Sequence, residues 1–162
     1  MSHSVHPYSH RLGIIRDWKS RWFCSNKDFR DALKADIMLR EYLEKKMRGL
    51  YIASIEMERN QKSFKIVIKT SRPGVIIGRT GEGSVKLRND IIKFMKKHDM
   101  PIALDFKLDI EEVRSPESNS AIVAYMIAEG LEKRMPFRRV MKQTIEKVMA
   151  NRDVLGDRKS VV

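Results

Sequence analysis

A glycine-bounded loop at residues 78–81, with the sequence GRTG, is the segment of this chain best suited to binding chemistry. It follows the apolar run 75–77 and precedes a stretch with helical periodicity. Glycines let a sugar-phosphate backbone approach the main chain closely, and Arg79 supplies a positive charge. The N-terminus of the following helix adds a partial positive charge, which also favours phosphate there.

Three interpretations of this loop compete. A phosphate-binding P-loop fails on its pattern, because only three residues separate Gly74 from Gly78 and Arg79 replaces the lysine that reaches the phosphates. A plain turn between a short helix and a long helix is the second interpretation, since paired glycines near a helix start are common. The third is an RNA clamp, in which the apolar run 75–77 packs the short helix and lines a groove for bases.

The elements that would position the loop follow from hydrophobic periodicity. Residues 26–48 predict a helix that Gly49 ends. Residues 51–59 and 63–70 alternate with period two and predict two half-buried strands. The apolar residues of this helix and of the first strand are, respectively, Phe29, Leu33, Ile37 and Leu43, and Tyr51, Ala53, Ile55 and Met57.

The chain after the loop predicts one more strand and three helices. Residues 82–98 predict an amphipathic helix with Leu87, Ile91 and Met95 on one side and Lys86, Lys93 and Lys97 on the other. Residues 102–110 predict the clearest strand. Two late helices have apolar positions at Val123, Ile127 and Leu131, and at Val140, Met141, Thr144, Ile145 and Val148. The order predicts an α+β fold with a small mixed sheet and helices on one face.

The composition favours a polyanionic partner. The 162 residues include 33 basic and 21 acidic side chains, which give a net charge of +12. Nucleic acid is the first expectation and an anionic membrane the second. No apolar run approaches the roughly 18 residues of a membrane span, and the N-terminus lacks a signal-peptide pattern, so a cytoplasmic or organelle-matrix protein without membrane contact is expected. Cys24 is the single cysteine, which excludes an internal disulfide.

Other groups of residues are weaker candidates for a metal site or a catalytic site. His3, His6 and His10 have a loosely metal-like spacing but no cysteine or carboxylate near them, so no metal site and no cofactor are expected. No set of residues with catalytic spacing is visible, and we do not expect an enzyme. Residues 1–26 are expected to form an extended arm, with Trp18, Trp22 and Phe23 as packing anchors.

The order strand, IIGRTGEG, long helix, strand resembles the KH domain, whose GxxG loop clamps about four nucleotides. A helix and strand before that core resemble the second KH topology. The motifs VHPYSHRLGIIRDWKSRWF, TSRPGVIIGRTGEGSVKLR and SPESNSAIVAYMIAEGLEKRMPFRRVMKQTIEKVM occur in this order. Together they resemble the bacterial small-subunit ribosomal protein three family, over residues 5–154.

The resemblance implies a fold and a set of boundaries. It implies an α+β, type-2 KH domain with a mixed three-stranded sheet, followed by two helices of an incomplete C-terminal α/β domain. The predicted divisions are an N-terminal arm at 1–26, the KH domain with its leading helix at 27–114, a helical pair at 115–154 and a tail outside the family pattern at 155–162.

The resemblance also implies a function, namely a structural constituent of the small ribosomal subunit that acts in translation. Its implied partners are rRNA of the subunit head, mRNA at the entry channel and the tenth and fourteenth small-subunit proteins. The implied RNA-binding residues are Ile77, Gly78, Arg79, Thr80, Gly81, Lys86 and Lys93. The implied mRNA-channel residues are Arg138, Arg139 and Lys142, which otherwise form an ordinary solvated helix face. A free-standing KH factor for single-stranded RNA is the alternative.

The sequence departs from the family after residue 154. Residues 157–162 match the translation of a common sequencing adapter, so an assembly artefact is our hypothesis and a split gene the alternative. Without the sheet on which the family's two late helices pack, their apolar residues would stay in water, at about 1.5–3 kcal/mol each. We therefore predict that residues 1–114 fold alone and that residues 115–162, in isolation, are partly disordered or prone to aggregation.

Overall fold

The computed structural model describes residues 4–60, 62–101 and 105–151. Its helices are α1 (Pro7–His10), α2 (Asn26–Lys46), α3 (Pro73–Ile77), α4 (Glu82–Lys97), α5 (Ser120–Glu132) and α6 (Phe137–Ala150). Its strands are β1 (Ser20–Trp22), β2 (Ile52–Arg59), β3 (Ser63–Thr70) and β4 (Asp105–Glu112). The predicted tail at 155–162, His3 and the first residues of the strand predicted from 102 lie outside the described residues.

The strands form one mixed sheet in the order β1-β2-β3-β4. β2 and β3 pair antiparallel, and the outer strands β1 and β4 run parallel to their neighbours. Ile66 lies between Met57 and Leu108, so these three side chains share a face. The predicted α+β class with a mixed sheet is confirmed. The described sheet has four strands instead of three, because the N-terminal segment adds β1 to its edge.

Residues 20–22 of the N-terminal segment join the sheet as β1 and residues 7–10 form α1, so the segment is not extended throughout as the sequence suggested. Asp36 of α2 is 3% exposed and holds β1, since its Oδ2 accepts hydrogen bonds from Ser20 Oγ at 2.8 Å and from Trp22 Nε1 at 2.9 Å. Two of the three predicted anchors are wrong: Trp18 is 57% exposed and Phe23 is 96% exposed. Trp22 alone of the three can reach the buried carboxylate, and that polar contact was invisible to hydrophobic patterning.

The hydrophobic core lies between one face of the sheet and helices α2 and α4. Phe64, Ile66 and Ile68 supply its centre from β3 and are almost fully buried. The helices add side chains spaced three and four residues apart, which aligns them on one helix face. These are Ala32, Ala35, Leu39 and Leu43 on α2, and Leu87, Ile91 and Met95 on α4, as predicted for α4.

The apolar positions predicted for α2 are mostly wrong. Leu43 is buried, but Phe29, Leu33 and Ile37 are 48%, 41% and 50% exposed. Apolar residues occur around much of this helix, so periodicity alone selected the adjacent stripe. The helix places Ala32 and other small residues toward the core, where they allow close packing.

The predicted alternation of the first strand is confirmed at Tyr51, Ile55 and Met57, which are buried, and departs from the prediction at Ile52 and Ala53. Tyr51 has a φ of 51° and precedes the strand, and the pairing with β3 changes register between Ile52 and Ser54. This irregularity buries Ile52 and leaves Ala53 half-buried. An extra residue in one strand disturbs the period-two pattern locally, which explains the departure at these two positions.

The outer face of the sheet carries charges that pair between strands. Arg21 Nη2 lies 2.8 Å from Glu56 Oε2, and Lys69 Nζ lies 2.6 Å from Glu56 Oε1. Lys65 Nζ lies 2.9 Å from Asp109 Oδ2, and this hydrogen bond raises the pKa of Lys65. Opposite charges on neighbouring strands support the register of the sheet. The basic residues of this face are therefore compensated within the face itself.

Helices α5 and α6 contact each other where α5 carries a glycine. A Cβ added at Gly130 would lie 3.0 Å from Val140 Cγ1, so the small residue allows α6 to approach. Ile122 and Val140 are the apolar residues that the pair buries among the described residues, at 0% and 3% exposed. The stripe predicted for α5 is different: Val123 and Ile127 are half-buried, and Leu131 is 48% exposed.

Candidate nucleic-acid interface

The GRTG segment forms the connection between α3 and α4. Gly78 ends α3 with φ 76° and ψ 176°, a conformation essentially restricted to glycine. Gly81 precedes α4 with φ 80° and ψ −2°, in the left-handed region. Arg79 and Thr80 lie between them with exposed side chains. The loop therefore presents a guanidinium and bare backbone at one point of the surface.

Gly83 is a further glycine that this geometry requires. A Cβ built on it would lie 2.3 Å from the carbonyl oxygen of Ile76 and 2.9 Å from that of Ile77. The end of α3 therefore packs directly against the start of α4. The GxxG pattern at 78–81 does not include this residue, although a glycine inside the first turn of a helix is itself a signal, because it costs helix stability.

The start of α4 is open for an anion. Gly81 offers no side chain to cap the helix, and the first backbone N–H groups of a helix have no partner inside it. Ser84 Oγ donates a hydrogen bond to the Gly81 carbonyl oxygen at 2.7 Å, which fixes the loop against the helix. Unpaired donors and the helix dipole together favour phosphate at this end.

The apolar run before the loop divides between the core and the surface. Ile76 is buried at 6% exposed, whereas Val75 and Ile77 are 64% and 36% exposed. Val85, in the first turns of α4, is 58% exposed. These side chains leave apolar surface beside the loop, as the RNA-clamp interpretation expects.

Opposite sides of α4 face different elements. On one side, Arg88 Cζ lies 6.0 Å from the centre of the Phe106 ring of β4. On the other side, Asp90 accepts a short hydrogen bond from Lys46 Nζ of α2. Lys86 and Lys93 lie four residues before and three residues after Asp90, so they share its side. The predicted RNA-binding lysines thus lie on the side toward α2, and Arg88 on the side toward β4.

The contact between α2 and α4 is built from rings and one ion pair. The Tyr42 and Phe94 rings stack with centroids 4.2 Å apart and planes at 15°, and the His98 ring lies 4.5 Å from Phe94. The hydrogen bond from Lys46 holds the pKa of Asp90 below its ordinary value, and the nearby charges of Lys46, Lys93 and Lys86 lower it further.

The predicted mRNA-channel residues lie on α6, away from the GRTG loop in the chain. Arg138, Arg139 and Lys142 are exposed; Arg138 and Lys142 lie on the side of α6 opposite the buried Val140, and Arg139 lies about 100° from Val140 around the helix. Arg138 Cζ lies 5.8 Å from the Phe137 ring, which is 59% exposed. All three cations lie on one helix, which is a different element from the one that carries the loop.

A cavity of about 830 Å³ lies at the opposite end of α4 from the loop. It is lined by α2, by the β2–β3 turn and by the segment after α4, and includes Arg59 and Met100. The Arg59 side chain is 11% exposed, and its Nη2 lies 3.6 Å from Oδ1 of the buried Asp36. None of the predicted RNA-binding residues lines this cavity.

The described residues offer neither a metal-binding cluster nor a membrane-spanning helix. Among residues 4–60, 62–101 and 105–151, no three histidine, cysteine or acidic side chains are placed to hold a metal ion. His6 instead accepts a hydrogen bond from the Tyr8 backbone through Nδ1. In the same part of the chain, no helix is both long enough and apolar enough to cross a membrane.

Comparison with known proteins agrees with this geometry. The KH domain family profile matches residues 38–118, which include the loop and the helices around it. The small ribosomal subunit protein uS3 of Clostridium novyi is 40% identical over 149 residues, which cover 92% of this chain and 65% of that protein. The uS3 proteins of Coxiella burnetii and Nitrosomonas europaea are each 41% identical over 92% of this chain.

The chain spans just under two thirds of the length of these relatives, 63% for Coxiella burnetii and 66% for Nitrosomonas europaea. The resemblance to bacterial small-subunit ribosomal protein three is confirmed by these identities. The family profile covers half of the chain and includes the glycine loop. The chain therefore belongs to the KH domain family.

Proposed function

We propose that this chain is an RNA-binding constituent of the small ribosomal subunit, which acts without catalysis. The observation that carries the proposal is the loop at 78–81, where two glycines with positive φ bring bare backbone and Arg79 to the start of α4. A plain turn needs neither the exposed cation nor the open helix end. The relatives of this chain are named as ribosomal proteins of the small subunit, and this favours rRNA as the RNA that the chain binds.

The loop contacts one RNA strand in two ways. A phosphate lies at the N-terminus of α4, where backbone N–H groups and Arg79 stabilise its charge. Adjacent bases lie on the exposed apolar surface of Val75, Ile77 and Val85. Gly78 and Gly81 allow the backbone approach that a Cβ would hinder. The apolar run and the cationic loop are neighbours because one strand offers both bases and phosphates.

Finer parts of the proposal concern the remaining partners. Arg138, Arg139 and Lys142 contact mRNA at the entry channel of the subunit through their exposed positions on α6. The tenth and fourteenth small-subunit proteins are the proposed protein neighbours, and a cytoplasmic ribosome is the proposed location. Exposed arginines and lysines on one helix face suit phosphate groups, because they neutralise charge without reading sequence.

The test is binding of the full chain to rRNA of the small-subunit head across a salt series. The variant combines Arg79→Asp with Thr80→Asp, which changes the charge of the loop without touching the core. A control combines Lys27→Asp with Asn60→Asp, two exposed residues away from the loop, for the same change in net charge. We expect tight, salt-sensitive binding that the loop variant loses and the control largely keeps.

The contrary outcomes are distinct. Equal binding by the loop variant and by the native chain would show that the loop is a turn. Equal losses in the loop variant and in the control would show that net charge alone drives the binding.

A separate experiment tests α6. The variant that combines Arg138→Ala with Arg139→Ala is expected to weaken crosslinking to mRNA in reconstituted subunits while leaving rRNA binding intact. Unchanged crosslinking would contradict the assignment of these residues to the mRNA channel.

A further inference from the structure

The side of α4 that faces α2 is positively charged and separate from the GRTG loop. We define the α2–α4 seam as Lys46 of α2 with Lys86, Asp90, Lys93 and Lys97 of α4. Four lysines surround one carboxylate, so the seam has a net charge of about +3 at neutral pH. Among the described residues, Lys86, Lys93 and Lys97 have no ion-pair partner, and all three are exposed.

The seam is held in a fixed geometry. Lys46 bonds both Asp90 and the Tyr42 hydroxyl, the latter at 3.2 Å. The stacked Tyr42 and Phe94 rings fix the spacing of the two helices beneath the lysines. Lys86 and Lys97 are eleven residues apart on one helix, or roughly 16 Å along its axis. The cations thus form a line instead of a single point.

The chemistry of the seam suits phosphates and not bases. The Tyr42 and Phe94 rings stack on each other, and Lys46 Nζ lies 5.5 Å from the centre of the Tyr42 ring, so these contacts already engage both rings. Apolar surface for bases lies instead beside the loop, at Val75 and Val85. A lysine binds phosphate as a point charge, with no bidentate geometry for reading a base. Double-stranded RNA is bound largely through its phosphates and 2′-hydroxyls.

We propose that the α2–α4 seam is a second RNA-binding surface, which takes the phosphate backbone of a double-helical RNA segment. This inference rests on the proposed RNA-binding function. It separates Lys86 and Lys93 from the loop with which the sequence grouped them: the loop takes an unpaired strand, and the seam takes a neighbouring duplex. Because α4 supplies both surfaces, one rigid helix joins a paired and an unpaired segment of the same RNA.

The compensated lysines of the outer sheet face provide a matched control. The seam variant combines Lys86→Gln, Lys93→Gln and Lys97→Gln. The control combines Lys65→Gln, Lys69→Gln and Lys107→Gln, which removes the same charge from the opposite side of the sheet, where each lysine lies beside a carboxylate. The loop variant Arg79→Asp with Thr80→Asp completes the set, and thermal melting of each full-length variant confirms that it folds.

Two probes distinguish the surfaces: a blunt RNA duplex of about 16 base pairs and an unstructured RNA of about eight nucleotides. Affinity for each is measured between about 50 and 200 mM salt. We expect the seam variant to lose affinity for the duplex, with the salt slope reduced by about two to three, since each phosphate contact contributes about 0.9. Its affinity for the short single strand changes by less than about threefold, and the sheet control keeps both affinities.

Two outcomes would overturn the proposal that the seam binds double-helical RNA. One is equal loss of duplex binding in the seam variant and the sheet control, which would reduce the effect to net charge. Another is loss of duplex binding in the loop variant, which would place both probes on one surface. Failure of the loop proposal has a different signature: the loop variant would keep single-strand binding while the seam variant still lost the duplex.

Discussion

The KH core and the α5–α6 pair differ in how much of their apolar surface they bury. In the core, Leu39, Ile68 and Ile91 are each 0% exposed. In the helical pair, Phe137 and Met141 are 59% and 52% exposed, on an element whose amphipathic pattern resembles that of a core helix. The core is therefore stabilised by its own packing, whereas the pair leaves much of its apolar surface in water.

The same contrast holds for the positive charges of the two regions. In the core, Lys46 lies beside Asp90 and Lys65 beside Asp109. On α6, no described carboxylate forms an ion pair with Arg138, Arg139 or Lys142. Cations beside carboxylates are held in place and partly neutralised, and unpaired cations keep their full attraction for phosphate. We infer that the loop depends on a rigid scaffold, and that α6 acts mainly through its charge.

The largest predicted effect compares one isoleucine from each region. Ile68→Ala removes a side chain that is 0% exposed between Ile55 and Ile110, and we expect it to lower the free energy of unfolding by about 2–5 kcal/mol. Ile145→Ala changes a side chain that is 39% exposed on α6, and we expect a change within about 0.5 kcal/mol. Urea unfolding of the full chain, followed by circular dichroism, measures both. Comparable losses would show that the helical pair is as tightly packed as the core.

Much of the core could be predicted from the sequence, because its pattern is regular. Alternation identified β3 and β4, and spacings of four identified Leu87, Ile91 and Met95 of α4. The sequence failed where the pattern has a local exception or too many apolar residues. The register shift near Ile52 buried that residue and left Ala53 half-buried, and the broad apolar surface of α2 hid its buried stripe.

The candidate site was predictable in its loop and not in its surroundings. The two glycines and Arg79 are adjacent in sequence, so their pattern is local. The pairing of Asp90 with Lys46 joins residues on different helices, and Asp36 binds Trp22 from another element. Contacts of this kind depend on the packing of helices against the sheet. For the same reason, helical spacing grouped the lysines of α4 but could not say which neighbour they face.

The next largest effect tests whether the start of α4 is as closely packed as the core. Gly83→Ala places a methyl group 2.3 Å from the Ile76 carbonyl oxygen, and we expect a loss of about 1–3 kcal/mol with weaker binding of single-stranded RNA. Gly74→Ala is the control within α3, where no atom of the described residues beyond the local backbone lies within 4 Å of the added Cβ. We expect it to stabilise the chain by about 0.4–1 kcal/mol. Stabilisation by both substitutions, measured by thermal melting, would contradict the close approach of α3 and α4.

The smallest predicted effect concerns the ion pair of the seam and appears only with pH. The pKa of Asp90 is lowered by the Lys46 hydrogen bond, so the native state favours its ionised form. The resulting stabilisation is present above the ordinary value of 3.8 and is lost as the pH falls through the lowered native pKa. Asp90→Asn lacks this contribution, so its deficit in unfolding free energy relative to the native chain should narrow from about pH 6 to about pH 2.5.

Arg138→Gln on α6 is the comparison for this measurement, because no described carboxylate forms an ion pair with Arg138. We expect its difference from the native chain to stay constant over the same acid range. A constant deficit for Asp90→Asn would show that the Lys46–Asp90 pair contributes nothing through charge.

Asp90→Asn also removes the only carboxylate of the defined seam. It should therefore tighten binding of the RNA duplex at neutral pH, which separates its electrostatic role from its effect on folding.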